Sequence, residues 1–315
     1  MTRFVAIAGG VGGARLARGL ARVLAPDDLL VAVNTGDDFE HLGFAISPDL
    51  DTVMYTLAGW ENPATGWGLA HESWAFMSAL ERLGGETWFR LGDRDLATHV
   101  ERTRRLRQGE SLSAITADLA ARMGVTARIT PMSDSPVRTI VHTDVGALAF
   151  QDYFVRLQCA PKVQRIEFDG AAGAAPSAMF ANALADPRLE AIIICPSNPF
   201  LSVAPMLAMP AIDAWWRTRR VPVVAVSPIV GGAAVKGPAG KLLAELGYEV
   251  SARAVAEHYG DHVDRWLIDT RDEALAPAVR ALSKQVRVAE TMMSDAPRSA
   301  AVALEAIALA RERAQ

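Results

Sequence analysis

Short uninterrupted apolar runs alternate along the chain with stretches in which apolar residues recur every three or four positions. These are the patterns of buried strands and of amphipathic helices. Phe4–Ala8 is the first run, Gly9-Gly10-Val11-Gly12-Gly13 follows it, and residues 14–20 then carry apolar positions at helical spacing. Strand, glycine loop and helix are therefore expected in that order. Leu29–Val33 is a second run and ends in Asn34-Thr35-Gly36-Asp37-Asp38. Residues 191–195 and 221–226 are two more, with the polar or turn-forming exits Pro196-Ser197-Asn198-Pro199 and Ser227-Pro228-Ile229-Val230-Gly231-Gly232. Strands separated by helices and ending in such exits predict an α/β, doubly wound, mainly parallel Rossmann-like sheet.

Between residues 60 and 125 the period is helical, with segments at 72–83, 96–107 and 111–123, and this stretch reads as a helical insertion within a single domain spanning 1–315. Short strand-like pieces at 128–130, 139–142 and 147–150 suggest a small meander. Helices are expected at 52–58, 241–246, 255–259 and 298–313, and short strands at 265–269 and 287–289.

Composition narrows the function classes. At 50% hydrophobic and 22% charged, the 315 residues can bury a large core, and a net charge of −4 argues against a broad nucleic-acid footprint. Two cysteines, Cys159 and Cys195, are too few for a disulfide framework, and no apolar run approaches a membrane span. A soluble cytoplasmic protein without a membrane partner is expected.

The chemistry concentrates at the strand exits. Glycines 9, 10, 12 and 13 before a helix suit phosphate, because backbone N–H groups come close and the helix N-terminus is positive. The spacing is neither a Walker A loop nor a dinucleotide fingerprint, which disfavours a dehydrogenase. Asp37, Asp38, Asp49 and Asp51 crowd one short interval, a density that a hard divalent cation explains better than helix capping alone. Arg90, in Trp88-Phe89-Arg90, suits a flat heterocycle or its phosphate tail. Ser197, Asn198, Ser227 and Gly231 offer hydroxyl, amide and backbone donors at the same sheet edge, and Lys236 a further cation. Cys195 reads as a structural thiol, and His258 and His262 lack the zinc-protease pattern.

These segments, together with Ile46-Ser47-Pro48-Asp49-Leu50-Asp51-Thr52-Val53, Leu91-Gly92-Asp93-Arg94-Asp95-Leu96-Ala97-Thr98-His99 and Pro131-Met132-Ser133-Asp134, resemble the 2-phospho-L-lactate transferase family of deazaflavin coenzyme F-420 biosynthesis over residues 4–293. The resemblance implies a magnesium-dependent enzyme, expected as a homodimer. It would take a phospholactyl, phosphoenolpyruvyl or phosphoglyceryl group from a guanosine diphosphate conjugate to a deazaflavin hydroxyl, releasing GMP. It places Asp51 and Arg90 on the acceptor, Asp38 and Asp49 on Mg2+, and Gly10, Gly12, Gly13, Ser197 and Asn198 at the guanosine phosphates, with Asp49 or Asp51 receiving the hydroxyl proton. Arg15 and Arg90 stand where lysine is common in the family. The competing reading is a nucleotide- or phosphosugar-binding protein of the related uridylyltransferase-like group, without transferase activity.

Overall fold

A computed structural model describes residues 2–282 and 284–312. In its first strand, β1 (Phe4–Ala8), all five residues are buried. Phe4, Ala6 and Ala8 enter one apolar core while Val5 and Ile7 enter another, the period-two alternation of a strand covered on both faces. The same holds for β2 (Leu29–Val33), whose residues are also all buried.

The remaining strands are β3 (Phe39–His41), β4 (Phe44–Ile46), β5 (Arg128–Pro131), β6 (Arg138–Thr143), β7 (Gly146–Ala149), β8 (Val163–Asp169), β9 (Ala191–Ile194), β10 (Val223–Val226), β11 (Ile229–Val230), β12 (Ala233–Ala234), β13 (Arg265–Asp269) and β14 (Gln285–Ala289). Together with β1 and β2, five of them form one seven-stranded sheet in the order β14-β13-β10-β9-β1-β2-β5, and every neighbouring pair is parallel. The expected α/β architecture is the observed one.

The chain leaves β1 in one direction to β2 and β5 and returns on the other side through β9, β10, β13 and β14. The order therefore reverses between β1 and β9, and in open α/β sheets the crevice at such a point receives the ligand.

Two local expectations differ. Residues 128–130 do not belong to a meander but make β5, the edge of the main sheet, where Pro131 is tolerated. The antiparallel sheet is β7-β6-β8, and its third strand, β8, had no counterpart in the apolar pattern because polar residues alternate along it (Val-Gln-Arg-Ile-Glu-Phe-Asp).

Helices α1 (Gly10–Val23), α2 (Pro48–Ala58), α3 (Ala75–Arg82), α4 (Asp93–Arg107) and α5 (Leu112–Arg122) fill the first half, the last three falling in the stretch with helical period. After them come α6 (Ala178–Leu184), α7 (Ala204–Leu207), α8 (Pro210–Thr218), α9 (Ala239–Glu245), α10 (Ala252–Tyr259), α11 (Ala276–Arg280) and α12 (Ala296–Arg311). Arg313, which the apolar pattern placed at the end of the last helix, lies outside the described residues. No helix among the described residues is long and apolar enough to cross a membrane.

Helix α1 is held between α2 and α12. Its Gly19 faces the Ser299 carbonyl of α12 so closely that a Cβ there would overlap the backbone. Gly19→Ala is therefore expected to destabilise the fold by about 1–3 kcal/mol through forced separation of the two helices, read as a lower thermal midpoint. An unchanged midpoint would show that the helix pair can slide apart freely.

Candidate active site

The exits of β1, β2, β9, β10 and β14 line a cavity of about 610 Å³ at the carboxyl edge of the sheet, at the point where the strand order reverses. Gly9, Gly10, Val11 and Gly12 come from the first exit, Asp37 from the second, Pro196, Ser197 and Asn198 from the third, Ser227 from the fourth and Thr291, Met292 and Met293 from the last.

The opening glycines form less of a loop than their sequence suggests. Gly9 is extended and α1 starts at Gly10, whose φ of 63° needs glycine. Gly12 and Gly13 already lie in the first helical turn. Side chains there would strike the Pro196 carbonyl and, 2.6 Å away, Ser197 Oγ. These two glycines thus let α1 approach the β9 exit. Ser197 closes the joint, accepting the Gly9 N–H at 3.0 Å and donating its hydroxyl to the Gly9 carbonyl at 2.9 Å.

The N-cap residue Gly9 has no side chain to cap α1, and the positive end of the helix faces the cavity and Asp49. Gly10 N–H donates to Asp49 Oδ1 at 2.7 Å, and Asn34 Nδ2 donates to Asp49 Oδ2 at 2.9 Å. Asp49 lies in the first turn of α2 and is buried at 6% exposure. Burial pushes its carboxyl up to about 6 against the opposing help of Asn34 and Gly10. Burial likewise raises Asp37 well above the usual carboxylate range, with the Asp49 charge adding to it. Asp38 is pushed up to about 7 by burial, although Arg138 and its hydrogen bond from Ser47 work the other way.

Asp37 and Asp38 each keep one buried oxygen, Oδ1, with no hydrogen-bond partner. Buried carboxyls with unsatisfied oxygens are hard-oxygen donors of the kind a cation such as Mg2+ takes. Of the two aspartates expected on the metal, Asp49 lines the cavity while Asp38 turns to Ser47 at 2.8 Å; Asp37 lines the wall instead.

The raised carboxyl of Asp38 makes a directional prediction. A group whose folded pKa lies above its unfolded value of 3.8 stabilises the fold fully below that pH, and the contribution is lost as pH rises towards about 7. In metal-free buffer, Asp38→Asn is expected to gain stability relative to the unsubstituted protein between pH 4 and 7, by on the order of 3 kcal/mol. Denaturant titrations of both proteins across that window measure the difference. A difference that stays flat or reverses would show that Asp38 is ionised throughout.

Asp51, two residues beyond Asp49, lines the cavity beside Tyr55, Asp95 and His99. Both its oxygens are held by Arg102 of α4: Nη1 donates to Oδ2 at 3.1 Å and Nη2 donates to Oδ1. His99 stands between two carboxylates, Nδ1 3.6 Å from Asp51 Oδ2 and Nε2 3.4 Å from Asp95 Oδ2. Opposite ring nitrogens face the two acids, so the imidazole bridges them, and one ligand atom from each of the three residues lies within 4.8 Å of the others, close enough to hold a metal ion. Tyr55 donates to Asp95 Oδ1 at 2.6 Å. Asp95 and His99 stood in a segment that carried the family resemblance but were given no role, and Arg102 and Tyr55 carried no signal: Arg102 is 51 positions from its partner, and the i, i+4 step from Asp95 to His99 is ordinary helix chemistry.

Arg90 lines the cavity with its guanidinium carbon 4.1 Å above the Trp74 ring. Trp88 and Phe89, with Phe39 and His41 packed edge-on behind them, and Phe150 with Phe154 stacked on it at 5.3 Å give this end an aromatic wall. Arg15 also reaches the cavity.

Asn198 accepts two backbone N–H groups through Oδ1 and leaves its buried Nδ2 without a partner. Ser227 lines the wall but turns its hydroxyl to the Ile229 carbonyl at 2.8 Å. Gly13 and Gly231 are not on the wall, and the Gly231 N–H is held by Asp272. Lys236 reaches the rim and donates to the Thr65 carbonyl at 2.9 Å. Cys195 is buried with its thiol pushed up by burial, as a structural cysteine should be. His258 packs on Phe200, and His262 Nδ1 lies 3.0 Å from the Tyr259 carbonyl.

The profile of the family described as 2-phospho-L-lactate transferase CofD matches residues 4–307. The chain belongs to that family. It is a transferase of coenzyme F-420 biosynthesis by this membership. The chain is 44% identical to a phosphoenolpyruvate transferase of Kitasatospora aureofaciens over 98% of both lengths. It is 37% identical to a 2-phospho-L-lactate transferase of Methanosarcina mazei over 94% of this chain and 96% of the other. A crystallised UPF0052 family protein of Bacillus halodurans shares the fold, with a TM-score of 0.60, 14% identity and coverage of 92% and 93% of the two chains. The family's matched span takes in every exit loop that lines the cavity.

Proposed function

We propose that the protein transfers a phosphoenolpyruvyl group from its guanosine diphosphate conjugate to the terminal hydroxyl of a deazaflavin, releasing GMP. The observation that carries the reading is the corner where the N-terminus of α1 meets three buried aspartates, two of them with an unsatisfied oxygen, at the sheet's reversal point. Phosphates seated there would lie against carboxylates. A cation is what makes that juxtaposition favourable. The choice of the enolpyruvyl acid over lactyl or glyceryl rests on the greater identity and coverage of the relative named for phosphoenolpyruvate.

Asp49 and Asp37 would hold Mg2+, with Asp38 adjoining, and the ion would supply neutralisation of phosphoryl charge. The chain's own groups do the rest. N–H groups in the first turn of α1 and the free amide of Asn198 bind phosphate oxygens. Arg90 and the aromatic wall orient the flat acceptor. The Asp51 carboxylate holds the acceptor hydroxyl's hydrogen while the new phosphorus–oxygen bond forms and the bond to the GMP oxygen breaks in line. Two free cysteines fit a reducing cytoplasm.

Incubating purified protein with magnesium, deazaflavin and each of the enolpyruvyl, lactyl and glyceryl conjugates, followed by mass detection, tests the reading. GMP and the enolpyruvyl phosphodiester should form fastest. Nucleotide binding with no phosphodiester from any donor would leave the binding-protein reading in its place.

A further inference from the structure

Arg102 is the one fully buried arginine of the site. Its residue exposure is 0%, and it is absent from the cavity wall, so it cannot touch either substrate. Among the described residues its ion-pair partner is Asp51, which does face the cavity. Burying a guanidinium away from water is unfavourable unless its partner is well placed. The fork-on-carboxylate geometry fixes the carboxylate's plane in a way that a single-point cation would not.

The surroundings fix the fork in turn. Arg102 Nη1 also reaches the Ala45 carbonyl at 3.4 Å, and His99 Nδ1 lies 3.4 Å from the same nitrogen. His99 is braced by Asp95, and Asp95 by the Tyr55 hydroxyl. Arg102, His99 and Asp95 sit on α4; Asp51 and Tyr55 sit on α2. The set therefore ties α4 to α2, the helix that carries Asp49.

We propose that Arg102 is a positioning residue for the transfer. It holds the Asp51 carboxylate in one orientation towards the acceptor hydroxyl, and His99, Asp95 and Tyr55 keep the guanidinium in register. The assignment rests on the transferase reading above. A carboxylate engaged on both oxygens is a fixed hydrogen-bond acceptor, so the contribution lies in direction and should appear in kcat more than in substrate affinity.

The test is a double-mutant cycle in the GMP-release assay, with thermal midpoints recorded for each protein. Arg102→Lys keeps the charge and loses the fork. It is expected to lower kcat by about 10–100-fold with the donor KM changed less than about threefold. In an Asp51→Asn background the same substitution should have no further effect, because the group it positions is gone. His99→Gln leaves the ion pair and removes only the brace; a smaller fall, again in kcat, is expected, and this variant decides the matter if Arg102→Lys does not fold. Unchanged kcat in whichever single variant folds, or an equal fall with and without the Asp51 carboxylate, would overturn the positioning role while leaving the transferase reading intact. An unsubstituted protein that forms no GMP would overturn both.

Discussion

Asp51→Ala is expected to leave a protein that binds guanine nucleotide but turns over at least about 10³-fold more slowly, the scale on which a single transition-state hydrogen-bonding group contributes. Two effects need separating. The alanine strands the buried Arg102 guanidinium, and removing one partner of a buried pair typically destabilises by about 3–5 kcal/mol. Part of the lost activity would then be lost fold. Asp51→Asn retains an acceptor oxygen for Arg102 and the side-chain volume while removing the charge that faces the substrate. If the role assigned to Asp51 is right, the asparagine variant recovers most of the thermal stability and little of the turnover. Recovery of near-normal kcat in either variant would remove Asp51 from the chemistry.

The second large effect is on the cation. Chelation is expected to abolish turnover, by at least about 10³-fold, and added magnesium to restore it. Asp49→Asn should weaken that restoration, raising the magnesium concentration needed by at least about tenfold. It replaces a buried carboxylate that faces the α1 N-terminus with a neutral amide. The stability assay gives an independent reading: magnesium should raise the thermal midpoint more at pH 8 than at pH 5, because the raised carboxyls of Asp37 and Asp49 must ionise before they bind it. Full turnover in chelator would show that the aspartates satisfy one another by sharing protons.

The fold was legible where burial leaves a continuous apolar run. β1, β2, β9 and β10 are covered on both faces, so every position must be apolar and the run announces the strand. β5 was misassigned because an edge strand carries Arg128 and Pro131, and β8 was missed because a sheet wet on one face admits Gln, Arg and Glu. The hairpin of β3 and β4 was hidden inside an acidic stretch that was read for chemistry alone.

The site divided in the same way. Asp49 and Asp51 stood out by local density, and the exit loops by their position after strands. Asp37 belonged to the same cluster, but its place on the wall instead of Asp38, and the Arg102 network, became visible only in three dimensions. Glycine was half informative. Gly10 answers to backbone geometry, whereas Gly12 and Gly13 answer to the nearness of the β9 exit, a contact across more than 180 positions.

On this mechanism a divalent cation on the acidic corner meets phosphates on the first turn of α1. A crystal of the protein grown with GDP and manganese, with the metal located by its anomalous signal, tests this directly. The metal is expected on Asp49 and Asp37, with the diphosphate against Val11, Gly12 and Asn198. A metal and nucleotide seated away from that corner would contradict it.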